Sequence, residues 1–130
     1  MTRVAESTPD AAADPFVRKS NRLWRVALFV AVAVQLIALY LPRAPAGPPV
    51  TGLDKVVHIC IFAAPALAAL MAGIRARWVL GILAVHAPLG ELIQHFALPQ
   101  RSGDVLDVMA DSAGIALGSL AYLVWNRRQP

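Results

Sequence analysis

Four apolar segments dominate the chain, and their length leaves few folds open. They are Leu23–Leu41, Val56–Gly73, Trp78–Leu98 and Val105–Trp125. Each is close to the ~20 residues that cross ~30 Å of hydrocarbon as a helix. In lipid every backbone N–H and C=O must be satisfied within the segment, so open strands are excluded. Composition agrees: 58% of the 130 residues are hydrophobic and only 15% are charged, unlike a soluble domain. The expected fold is all-α, an integral membrane four-helix bundle over residues 23–126. A polar, Ala/Pro-rich tail precedes it at 1–22 and is expected to be disordered. A short basic tail, 127–130, follows. "APA" at Ala44–Ala46 resembles a signal-peptidase site. The first apolar run is longer than a ~7–15-residue signal core, so it is expected to stay as a helix.

The formal charge of +4 matters less than its distribution. Arg18, Lys19, Arg22 and Arg25 stand at the start of the first segment, Arg75 and Arg77 between the second and third, and Arg127 and Arg128 after the fourth. In a four-helix zigzag all of these fall on one side, with Arg3. The other side holds Arg43, Lys55 and Arg101. The positive-inside rule then predicts cytoplasmic N and C termini in a plasma membrane, with loops 42–53 and 99–104 outside. There is no basic patch with interleaved aromatics, so no nucleic-acid partner is expected. The single cysteine, Cys60, lies in an apolar run and reads as a small buried hydrophobe.

The polar residues of the apolar segments are grouped at the outer helix ends. Asp54, Lys55 and His58 open the second segment in "DKVVH". Glu91, Gln94 and His95 lie near the end of the third in "GELIQHF". Arg101 and the acids Asp104, Asp107 and Asp111 follow in "RSGDVLDVMADSAG". Spacings of three and four place Asp104, Asp107, Asp111, Gly114 and Gly118 on one stripe of the last helix. Its outer half is acidic. Its inner half is a GxxxG motif, which lets another backbone come close. The acids are therefore expected to point into the bundle.

The link between the third and fourth segments is short, so those helices are expected to be antiparallel neighbours. Glu91 and Asp111 are equally far from it and are expected to face each other, ~10 Å below the outer ends. Simpler roles stand beside these. Asp54 and Asp104 can each act as an N-cap, Lys55 can extend to the interface, and Arg101 can be a solvated loop charge. His86, mid-helix beside Pro88, reads as a packed, hydrogen-bonded residue. Pro65 and Pro88 are expected to kink their helices.

"DKVVH", "ELIQHF" and "RSGDVLDVMADSAGIALG", in that order, resemble the VanZ-like family over roughly Thr51 to Leu120. These are small membrane proteins named for a member associated with resistance to the glycopeptide teicoplanin. By that resemblance Asp54, Lys55, His58, Glu91, Gln94, Arg101, Asp107 and the Gly114/Gly118 pair match the family's polar signature. Asp111 stands where many relatives have Asn. The resemblance implies a bacterial cell-envelope protein and fixes no reaction.

Three functions compete for these residues. The favoured one is an outward-facing site for an envelope lipid, a cell-wall precursor or a lipophilic glycopeptide. The second is a membrane-embedded enzyme on a lipid-linked substrate, working by acid–base chemistry or with a divalent cation. No cofactor is expected other than such a cation, for which His58, Glu91 and Asp107 are the candidate ligands. The third is proton-coupled transport or a structural polar core. Five acids (Asp54, Glu91, Asp104, Asp107, Asp111) against Lys55 and Arg101 give the site a formal charge of −3. A cation, a proton or a metal-bridged phosphate suits that charge better than a bare anion. The oligomeric state is not fixed by the sequence.

Overall fold

The computed structural model describes residues 15–41, 52–98 and 104–128, with side chains from residue 21 onward. It contains four helices in these stretches: α1 (Pro15–Tyr40), α2 (Leu53–Met71), α3 (Ala76–Ala97) and α4 (Val105–Arg127). Each is long and apolar enough to cross a membrane. The all-α, four-helix expectation is met at that level.

Helix ends follow local chemistry. α1 starts at Pro15, so residues 15–22, expected to be disordered tail, are helical instead. Proline suits a first helical position because its missing N–H would have no partner there. The rest of that tail, 1–14, lies outside the described residues, as do residues 129–130. α2 is preceded by Gly52 in the left-handed region, φ 90°, with no side-chain cap. Asp54 is therefore not the N-cap. It sits in the first turn, where a carboxylate still meets the positive helix end.

α2 ends in a Schellman motif. Gly73, φ 83°, donates its N–H to the Leu70 carbonyl, and Ile74 N–H reaches the Ala69 carbonyl, both at 3.0 Å. This turns the chain within four residues into α3. α3 stops at extended Leu98, the residue before Pro99, where α geometry is disfavoured. Pro65 and Pro88 lie inside continuous α2 and α3, each leaving one carbonyl a turn earlier without its usual N–H.

α2 is the central helix and makes its most extensive contact with α4, then with α1. Phe62, Ala66, Ala69 and Leu70 of α2 form the core with Leu39, Val79, Leu83, Ala87 and Ile115. The outer faces carry large apolar side chains, among them Phe29, Ile82, Phe96 and Leu117. Such continuous apolar exposure suits lipid rather than water. Cys60 belongs to this exposed surface, contrary to expectation. The inward face of α2 runs through His58, Ile61, Phe62, Pro65 and Ala66, which turns Cys60 away from the core. It lines an apolar groove between α1 and α2 with Val30, Val34 and Ala64.

The stripe of α4 finds its partner on α2. A Cβ on Gly114 would lie 2.4 Å from the Ile59 carbonyl oxygen, and one on Gly118 would lie 2.3 Å from that of Ala63. Only glycine permits such an approach, so GxxxG is used inside the bundle. α2 and α4 run parallel. Lys55 meets Asp107 and His58 meets Asp111, 52 and 53 positions apart. Phe62 and Ala66 then meet Gly114 and Gly118 one and two turns further in. The seam is polar at one end and close-packed at the other.

Candidate functional site

The polar end of the seam is built in tiers. At the mouth, Asp104 is the N-cap of α4, its carboxylate accepting the Leu106 N–H at 3.1 Å. That bond, with Lys55 nearby, holds the Asp104 carboxyl below the ordinary carboxylate range. Lys55 is not simply extended into solvent. Its ammonium donates to Asp107, lies 3.4 Å from Asp104 Oδ2 and stands 3.9 Å from Asp54 Oδ2. One cation thus faces three carboxylates at the membrane edge.

Asp104→Ala should fray the first turn of α4, whereas Asp104→Asn should keep the cap. Amide exchange at Leu106 and Asp107 reads this directly; equal protection in both variants would contradict the capping role. Because the Asp104 carboxyl sits below its ordinary value of 3.8, its contribution is present above that pH. It is lost as the pH falls through the depressed value.

One turn deeper, three helices converge. His58 of α2 is buried, and its Nδ1 lies 2.8 Å from Asp111 Oδ1 of α4. The same nitrogen is 3.8 Å from Glu91 Oε1 of α3. The other Glu91 oxygen, Oε2, accepts the backbone N–H of Asp104 at 3.1 Å, tying α3 to the start of α4. Glu91 and Asp111 do approach each other as expected. Both carboxylates converge on His58, the α2 histidine already grouped with Glu91 among the candidate ligands. Spacing across the α3–α4 link alone does not place it between them, because it comes from a third helix.

Asp107 and Gln94 are buried as well. His95 is not brought in: it is exposed on α3, edge-on to the Phe96 ring at 4.8 Å. Residues three and four positions after Glu91 lie on slightly different faces, and only Gln94 turns inward. Arg101 lies outside the described residues.

Two inward-facing polar groups of α1 were missed from sequence. Gln35 of α1 is 1% exposed, and its Nε2 has no hydrogen-bond partner among the described residues. A lone amide in an otherwise apolar span was the available signal. Tyr40, at the end of α1, shares a 3.0 Å hydrogen bond with His86 Nε2. Gly90 packs beside it, where a Cβ would make ordinary contact with the Tyr40 hydroxyl at 3.4 Å. His86 is thus the half-buried, hydrogen-bonded residue it was expected to be.

Two sets of side chains have donor atoms close enough to share one ion: Asp54, His58 and Asp107, and His58, Glu91 and Asp111. Within each set the atoms lie within 4.8 Å of one another. The triple His58, Glu91 and Asp107 is divided between them.

No protein-family profile, curated protein or solved structure matches the chain. The site must therefore be read from its own chemistry. It offers carboxylates, an imidazole and one ammonium, arranged from an exposed mouth to a buried floor. The floor is closed by the glycine-lined contact of α2 with α4.

Proposed function

We propose that the chain is a cell-envelope protein of the VanZ-like type in the plasma membrane. Its polar site binds the head of an envelope lipid, a lipid-linked cell-wall precursor or a lipophilic glycopeptide at the outer leaflet. The observation carrying this reading is the tiered column itself. Lys55 and Asp104 are partly exposed at its mouth, and Asp107, His58, Glu91 and Asp111 are buried behind them. Intramembrane ionisable groups are costly and mark function by default. Among the described residues the buried carboxylates, with His58, lie at the end formed by the start of α2 and α4 and the finish of α3. The Lys/Arg count puts that end outside, with both termini cytoplasmic.

The excess of carboxylates favours a head group that offers hydroxyl, amide or ammonium donors. An apolar groove between α1 and α2, lined by Val30, Val34 and Ala64, begins inward of His58 and runs away from the site, a surface that suits apolar chains. Proton-coupled transport has weaker support. Inward of His58 and Asp111 the α2–α4 contact is apolar and too close for water, with Phe62 and Ala66 against the two glycines.

Two measurements test the reading together. Alkaline phosphatase fused after Gly47 should be active, as an outward loop requires. Glu91→Gln and Asp111→Asn should each remove the chain's effect on teicoplanin susceptibility while the protein accumulates normally. Unchanged susceptibility at normal protein levels would rule the site out. Reduced protein alone would make the column a structural one.

A further inference from the structure

We propose that His58, Glu91 and Asp111 form a site for one first-row divalent cation of the zinc or manganese kind. The three side chains come from α2, α3 and α4, so the ion would tie together three helices that are far apart in sequence. Glu91 and Asp111 are nine-tenths or more buried, as is His58.

Two carboxylate oxygens carry the argument. Glu91 Oε1 and Asp111 Oδ2 are buried and have no hydrogen-bond partner among the described residues. Leaving such an atom buried without a partner forfeits the hydrogen bonds it made with water. A cation beside His58 Nδ1 would satisfy Glu91 Oε1, 3.8 Å from that nitrogen, would reach Asp111 Oδ2 where that carboxylate binds through both oxygens, and would offset the two buried negative charges.

The spacing suits an ion. Metal–ligand bonds of about 2.1 Å place neighbouring ligand atoms about 3.4 Å apart in a tetrahedral site. The His58 Nδ1 distances of 2.8 and 3.8 Å to the two carboxylates fall on either side of that value. One imidazole with two carboxylates is a mixed N/O set, which favours zinc or manganese over calcium or magnesium. The ion would take Nδ1 of the neutral imidazole, with the ring proton on Nε2 and both carboxyls ionised, so uptake would release to solvent any extra proton the three groups shared beforehand. Three protein ligands leave a coordination position open. A phosphate or carboxylate oxygen of a head group can take it, which would reconcile an acidic site with an anionic ligand. The cation site itself does not depend on the head-group reading.

The test uses the full chain in mild detergent, stripped with a chelator and titrated with Zn²⁺ and, separately, Mn²⁺. One equivalent of at least one ion should bind, with a rise in unfolding temperature that grows with free ion. Glu91→Gln and Asp111→Asn should each weaken binding by at least about tenfold, the lower bound for losing even a supporting contact. His95→Ala, which alters an exposed histidine, should bind as the parent does. The parent titration decides even if a variant misfolds: no saturable binding of either ion overturns the site. Binding abolished by Asp54→Asn but untouched by Glu91→Gln also overturns it, since the ion would then lie in the upper set. If the parent binds no ion yet Glu91→Gln still abolishes the teicoplanin effect, the cation site falls and the head-group reading stands. Stoichiometric binding with no susceptibility effect in any variant leaves the cation site standing and removes the head-group reading.

Discussion

Replacing Gly114 or Gly118 by alanine should disrupt the bundle more than any other single methyl group added to it. At both positions the new Cβ would stand well inside contact distance of an α2 carbonyl oxygen, 2.4 Å from Ile59 and 2.3 Å from Ala63. The obstacle is backbone, so no side-chain rotation relieves it. Overpacking of this kind costs about 1–3 kcal/mol per site. The double variant should lose the α2–α4 seam. Gly81→Ala is the control. Gly81 is exposed on α3 with open space where a Cβ would go, and alanine there should be neutral or should stabilise by up to about 1 kcal/mol. Thermal unfolding in detergent distinguishes the two outcomes. Gly118→Ala unfolding at the same temperature as Gly81→Ala would mean that the helices do not meet as described.

The second large effect belongs to His58. Its imidazole is the one group on which both Glu91 and Asp111 converge. His58→Leu would leave two buried carboxylates facing a hydrocarbon side chain. Removing one partner of a buried charged set costs about 3–5 kcal/mol, a large share of a small domain's stability. Asp111→Asn should cost less, about 1 kcal/mol, because its amide oxygen still accepts from Nδ1. Measured with chelator present, a double-mutant cycle between His58→Leu and Asp111→Leu should show coupling of about 0.5–3 kcal/mol. Additive costs would mean that the 2.8 Å contact contributes nothing of its own.

Much of this arrangement is legible in the sequence, for physical reasons. Apolar runs of spanning length report the four helices directly. The three–four spacing of Asp104, Asp107, Asp111, Gly114 and Gly118 reports a single stripe, because helical geometry allows nothing else. What spacing cannot report is the neighbour. The short link between α3 and α4 argues for pairing those two, and they do touch. The closest approach is decided by which surface can accept a carbonyl at glycine distance, and α2 supplies it at Ile59 and Ala63. The repeat on α2 carries a matching signal. Asp54, His58, Phe62 and Ala66 recur every fourth residue, in step with the stripe of α4.

Side-chain burial was less predictable still. Cys60 looked interior because its neighbours are apolar, yet in a membrane protein apolar residues clothe the outside as readily as the core. Gln35 and Tyr40 carried no pattern, being isolated on a helix that otherwise reads as hydrocarbon. His95 and Gln94 are consecutive, so only one of them faces the seam.

The parallel register of α2 and α4 has a consequence for how this chain can vary. Acid pairing and glycine contact are read out from the same two helical faces at the same offset. They are therefore in phase, and neither can be retuned alone. A residue gained or lost between Asp111 and Gly114 would rotate one half of α4 by about 100° against the other. The chain would then have to choose between its electrostatic half and its close-packed half. Loops can lengthen and the faces toward lipid can be exchanged freely, but the interval from the last acid to the first glycine behaves as a fixed constant of the fold.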